Sequence, residues 1–271
     1  MNEDIKENTA PNELATEEQR PLTIESAGGA DNLYEAYRSG EVVDFPPWLE
    51  ETEKSVEIIT SELYIHIADT QNILSVKLGN SRGILLYIYE NGVYHQWTDS
   101  DVKAYIKSFL PRRIRRSKDW NEVFNELKTE YANTEESELN SEENIINFQN
   151  GIVDLTTGKL LAHDPKYIST IQIPCKYVAD LKLEDAPVFS KFLDDLTGGN
   201  ADDKATLLEV IGLVISNVKG SRFKKLLILK GPGNTGKSVL RELVIQLIGL
   251  ENSHTVDIKQ LHRTIWFRTE F

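Results

Sequence analysis

One cysteine, one methionine and no long apolar run: this chain of 271 residues is marked first by what it lacks. The lone Cys175 excludes an internal disulfide and any cysteine-based zinc site. The five histidines (His66, His95, His163, His254, His262) lie too far apart for metal-ligand spacing. No stretch approaches the ~20 apolar residues that a bilayer demands. The opening Met1-Asn2-Glu3-Asp4 is acidic rather than signal-like. A soluble, cytoplasmic protein with no membrane partner is expected. Positive charge is also scarce, with a formal net charge of −13, but the deficit is local. Residues 1–62 hold sixteen Asp/Glu against four Lys/Arg, whereas the other 209 hold 27 against 26. The acidity belongs to a leader, so whole-chain charge does not argue against a DNA partner.

Taken in order, residues 1–55 carry Glu, Asn, Thr and Pro with little periodicity, which predicts a disordered acidic arm. Within it, Asn32 to Tyr37 has the pattern of a helical turn. From residue 56 the composition becomes globular, and an α+β domain is expected over 56–186. Apolar runs 83–89 and 93–97 flank Glu90-Asn91-Gly92, a strong hairpin signal. Asp99 or Ser100 then caps a helix with Val102, Tyr105, Ile106, Phe109 and Leu110 on one face, ended by Pro111. The basic cluster Arg112, Arg113, Arg115, Arg116 and Lys118 follows. It reads either as a nucleic-acid backbone contact or as a solvated corner balanced by the acids of 135–143. A helix over Trp120, Val123, Phe124, Leu127 and Tyr131 comes next. Residues 145–161 read as two short strands with Asn-Gly and Thr-Gly turns, in which Asp154 stabilises a turn. Two amphipathic helices are expected from Pro187 to Leu196 and from Asp202 to Val218, separated by Gly198-Gly199.

The stretch that organises the chain is Gly231-Pro232-Gly233-Asn234-Thr235-Gly236-Lys237-Ser238, which matches G-x-x-x-x-G-K-[ST]. Upstream, residues 224–230 form a short apolar run between lysines, read as a buried parallel strand. Downstream, Val239, Leu240, Leu243, Val244, Leu247 and Ile248 recur at helical spacing, and Gly249 marks the stop. Strand, glycine loop and helix together make a phosphate cradle. Glycines let the backbone N–H groups approach phosphate oxygens, and the helix adds its unpaired N–H groups and dipole. In that setting Lys237 reaches the β- and γ-phosphates, and the Ser238 hydroxyl ligates Mg²⁺. ATP and Mg²⁺ are the cofactors expected.

Two stretches together carry a family resemblance. The pattern Phe148-x-Asn150-Gly151-x-x-Asp154-Leu155-x-Thr157-Gly158-x-Leu160, followed by His163-x-Pro165, resembles the domain preceding the helicase in phage- and plasmid-encoded primase-helicases, shared by poxvirus primase-helicases. The helical pair and Gly231 to Ser238 resemble the opening of their superfamily 3 helicase domain. The match spans roughly residues 80 to 262. The fold class implied is α/β: a small α+β domain, then the first helices, strand and phosphate loop of a P-loop NTPase over 187–271. The resemblance implies an ATP-driven DNA helicase, usually hexameric, acting on single-stranded DNA or a replication fork in phage, prophage or plasmid replication.

The departures matter too. No primase catalytic domain precedes the region, so priming activity is not expected. After Lys237 no apolar strand ends in an Asp or Glu that would position Mg²⁺ and the attacking water, and Asp257 follows too polar a stretch. The chain therefore reads as the front portion of a helicase, with hydrolysis not expected from it alone. Residues 263–271 read either as the product of a frameshift after His262 or as a true terminus. The alternative function is a non-enzymatic DNA- or partner-binding remnant with a vestigial loop.

Overall fold

The computed structural model describes residues 20–79, 83–130, 134–218, 222 and 227–256. Tyr131, the 224–226 part of the expected strand, and everything from Asp257 onward lie outside the described residues. The fold is mixed α and β, and the chain divides into two compact units.

The first unit comprises Met1–Ile67 and Ser100–Glu126. Its opening helix α1 (Ala30–Ser39) buries Ala30 and Leu33 and stops at Gly40, whose φ of 87° provides a left-handed cap. The chain on either side of α1 closes through a parallel bridge between Leu22 and Val43. A hairpin of β1 (Leu49–Glu51) and β2 (Val56–Ile58) follows, its turn tied by Thr52 and Ser55. Helix α2 (Thr60–Thr70) buries Leu63 and Ile67. Helix α3 (Asp99–Ser108) buries Val102 and Ile106, as the sequence spacing predicts. Helix α4 (Ser117–Glu130) places Val123 and Phe124 in the core. Trp48 locks this unit: its indole N–H donates to Phe109 O at 3.1 Å and its ring lies 4.3 Å from His66. The expected disordered arm is therefore corrected over residues 20–55, and residues 1–19 lie outside the described residues. Residues 20–55 include α1, a buried Leu33 and a buried Trp48, whose ring meets His66 of α2 and Phe109 just after α3, partners that local composition does not reveal.

The second unit comprises Ala68–Asp99 and Leu127–Phe271. Its first sheet has the order β5-β4-β3-β6, with β3 (Ile73–Lys77), β4 (Ile84–Glu90), β5 (Val93–Trp97) and β6 (Thr134–Glu135). The β4–β5 turn is Asn91-Gly92, with φ values of 52° and 88°, the pair of positive angles that a type I′ turn needs. A second sheet holds three strands, not the two expected over 145–161: β7 (Ile145–Phe148), β8 (Gly151–Asp154) and β9 (Lys159–Leu161). The Thr156-Thr157-Gly158 turn lets Lys159–Leu161 fold back and pair with β8, adding the strand. Asn147, buried to 2% exposure, donates to Gly92 O at 2.8 Å and to Ser169 Oγ at 3.2 Å. That side chain ties the second sheet to the hairpin of the first.

Helices α5 (Pro187–Thr197), α6 (Ala201–Ile215) and α7 (Lys237–Ile248) also belong to this unit. Pro187 opens α5, and Gly198 at φ 62° caps it. The Asn200 side chain caps α6 by accepting from Asp202 and Asp203 N–H. Leu193, Leu207 and Leu240, one from each helix, form their shared core. At its far end, α7 lays Leu247 and Ile248 against Ile146, Phe148, Val153 and Ile173 of the three-stranded sheet region. Among the described residues, no helix is long and apolar enough to cross a membrane.

Candidate functional site

The loop Gly231–Ser238 leads directly into α7. Asn234 (φ 60°) and Gly236 (φ 85°) both take left-handed backbone, which turns the chain sharply into the helix. A Cβ on Gly236 would stand 3.1 Å from the Phe192 ring, so the glycine also lets α7 seat closely on α5. Helix α5 is in turn fixed to α6 by Lys204, whose Nζ lies 2.7 Å from Asp194 and 3.1 Å from Ser190 Oγ.

Lys237 curls back over the loop. Its Nζ donates to Gly231 O at 3.2 Å, Pro232 O at 2.5 Å and Thr235 Oγ1 at 2.8 Å. The Thr235 hydroxyl donates to Pro232 O at 3.1 Å. Ser238, in the first turn of α7, is exposed. Among the described residues, no hydrogen bond within the chain engages the backbone N–H groups of Gly233, Asn234, Gly236, Lys237 or Ser238. A cleft of about 410 Å³ opens beside the loop, lined by Thr197, Asp203, Thr206, Gly231, Thr235 and Lys237 among others. An ammonium, hydroxyls and unpaired N–H groups at a helix start make a donor set suited to a polyphosphate anion. The described residues contain no group of three His, Cys, Asp or Glu side chains able to hold a metal by themselves. A divalent cation here would rest on the Ser238 hydroxyl together with oxygens of the bound anion.

The strand expected before the loop is corrected in its described part. Residues 227–230 belong to no sheet, and Leu227, Ile228 and Leu229 are 45%, 76% and 38% exposed. A parallel strand is stabilised by neighbours on both sides, and no described strand lies beside this segment.

The basic cluster lies in the first unit, and its acidic counterpart is also there. Asp31 of α1 accepts from the Arg112 backbone N–H at 2.6 Å and sits 3.2 Å from its guanidinium Nε. Glu35, one turn along α1, pairs with Arg113 Nε at 2.5 Å. The balancing acids are therefore those of α1, not the 135–143 group weighed from sequence. Acids four residues apart on one helix face were the available signal, and they point the same way once α1 forms. Arg115 donates to Lys107 O and Leu110 O at the end of α3, where a cation also complements the helix dipole. Arg116 and Lys118 are exposed, and among the described residues no carboxylate pairs with either side-chain cation. An aromatic also stands nearby: Lys107 Nζ lies 4.4 Å over the Trp120 ring.

The 148–165 stretch has structural work in this fold. Asp154 Oδ1 accepts from Thr156 N–H at 2.8 Å and its Oδ2 from the Thr157 hydroxyl at 3.0 Å, the turn-stabilising role expected of it. Those bonds hold its carboxyl below the ordinary carboxylate range. His163 Nε2 bonds Phe148 O at 2.8 Å, and the His163 ring packs where a side chain on Gly92 would stand. Compared with known families, residues 44–198 match the model of the D5 N terminal like family, a span that contains β1 through α5 and ends before the loop. Because that match covers more than half of the chain, the protein belongs to the D5 N terminal like family, in keeping with its resemblance to phage and plasmid primase-helicases.

Proposed function

We propose that this protein is a component of an ATP-dependent DNA helicase of the phage and plasmid primase-helicase family, with Gly231–Ser238 as its nucleotide site. The observation that carries this reading is the local geometry: a left-handed glycine turn opens α7, with Lys237 folded over the loop and Ser238 at the helix start. In this role the ammonium of Lys237 leaves the carbonyls of Gly231 and Pro232 for the β- and γ-phosphates of ATP. The N–H groups of residues 233–238 would hold phosphate oxygens, and the Ser238 hydroxyl would hold Mg²⁺. When bound, Mg²⁺ would supply charge neutralisation for the phosphates. The superfamily 3 resemblance extends the reading to a homo-hexamer that moves on single-stranded DNA or at a fork, in the cytoplasm of a bacterial host.

A second reading is a non-enzymatic DNA- or partner-binding module with a vestigial loop. The exposed Leu227–Leu229 segment favours it, since a loop not braced by a sheet is poorly preorganised for hydrolysis. Nucleotide binding separates the two. Titration of a fluorescent ATP analogue with Mg²⁺ should give saturable binding that Lys237→Ala abolishes. Equal affinity in wild type and variant, or no binding at millimolar nucleotide, sinks the proposed site. Hydrolysis by this chain alone is expected to stay near background.

A further inference from the structure

The first unit carries a strip of cations whose arrangement nothing in the nucleotide site requires. Arg113, Arg115, Arg116 and Lys118 line one cleft of about 440 Å³ against β2, where the acids are Glu57 and Asp119. Asp119 is engaged with its own chain, its Oδ2 accepting the Arg116 backbone N–H at 2.5 Å, so it fixes the strip's path into α4. A neighbouring cleft of about 530 Å³ continues the positive surface with Lys107, Arg112 and Arg115, and α1 forms its other wall with Asp31 and Asn32. Two cations are thus free of carboxylate partners among the described residues, and two are held by α1 through Asp31 and Glu35.

We propose that the strip from Arg112 to Lys118 binds the phosphate backbone of nucleic acid, and that α1 is an acidic cover that competes with the phosphates for Arg112 and Arg113. Two features favour nucleic acid over an acidic protein segment. The cations follow one another along seven residues, a spacing that tracks a repeating charge rather than a single carboxylate. Four of the five are arginines, which fork onto phosphate oxygens. The Trp120 ring stands close by but lies under Lys107, so the contact is to backbone and does not read sequence. The Asp31 and Glu35 pairs are solvent-exposed, with side-chain exposures of 48% and 52% for the two acids, so each is weak enough for phosphate to displace. The inference does not rest on the nucleotide site, since none of its residues belongs to Gly231–Ser238.

Fluorescence anisotropy of labelled single-stranded and duplex oligonucleotides, titrated with the full chain without nucleotide, tests both parts. Arg116→Ala/Lys118→Ala should weaken binding at least about tenfold at low salt. It should also flatten the slope of log affinity against log salt by about 1.4–1.8, the loss of two phosphate contacts on single strands or duplex. Which of the two oligonucleotides binds more tightly identifies the natural form. Glu35→Gln alters only exposed side-chain pairs and should tighten binding about two- to fivefold, the release of one surface ion pair. Lys237→Ala should leave all of these values unchanged, which keeps this test separate from that of the nucleotide site. Unchanged affinity and slope in the Arg116/Lys118 variant, with its thermal midpoint preserved, overturns the binding strip. Unchanged affinity in Glu35→Gln overturns the cover. Tighter binding of a poly-glutamate peptide than of either oligonucleotide at equal salt overturns the assignment to nucleic acid.

Discussion

Phe192 and Gly236 meet so closely that a Cβ on the glycine would stand 3.1 Å from the ring edge. The same glycine holds φ at 85°, a region that L side chains occupy only with strain. Helix packing and loop geometry therefore converge on one residue. Gly236→Ala should cost about 1–3 kcal/mol of stability and should weaken nucleotide binding by shifting the start of α7. Chemical denaturation and nucleotide titration of the same preparation measure the two effects. Phe192→Leu/Gly236→Ala should recover part of the stability, because it relieves the crowding but not the backbone strain.

Asn147 is a buried amide whose Nδ2 serves both Gly92 O and Ser169 Oγ. Replacing it by alanine takes the amide away from the buried Gly92 carbonyl and should destabilise the second unit by about 1–3 kcal/mol. Urea unfolding followed by tryptophan fluorescence gives the number. A change below a few tenths of a kcal/mol would mean that water replaces the amide at no cost.

Leu33 is fully buried in the first unit although it lies in the acidic leader. Leu33→Ala should cost about 2–5 kcal/mol, the range for a buried leucine whose cavity does not fully collapse. An arm without fixed structure would show no effect on the unfolding midpoint, so this substitution tests directly whether α1 belongs to the folded unit.

The Asp154 carboxyl is held below its ordinary range first by the Thr156 backbone N–H and next by the Thr157 hydroxyl. A group whose folded pKa lies below its unfolded one stabilises the fold above the unfolded value. That contribution is lost as pH falls through the folded value. The acid limb of a stability–pH profile should therefore be shallower for Asp154→Asn than for wild type, with the two curves running parallel at neutral pH. Identical acid limbs would remove Asp154 from the turn's energetics.

Much of this protein was legible in the order of its residues, and the legible parts share a physical cause. Asn91-Gly92 between apolar runs specified a type I′ hairpin because both turn residues must accept positive φ, a demand met within two positions. Pro187, Gly198 and Gly249 marked helix ends because caps act on backbone groups within one turn. The phosphate-loop pattern was equally local, and so was the Asp154 turn. Tertiary structure decided what depended on partners distant in the chain. Leu33 and Trp48 of the leader are buried, and Trp48 meets His66 and Phe109, which lie far along the chain from it. Arg112 and Arg113 find their acids some eighty residues upstream on α1, so no window around the cluster could have shown which cations stay free. Asn147 reads as an ordinary strand residue until Gly92 is brought beside it. The run before the loop looks like a buried strand by composition alone, yet Leu227, Ile228 and Leu229 stay exposed. Strand formation needs a neighbouring backbone to bond, and only the fold decides whether one is there.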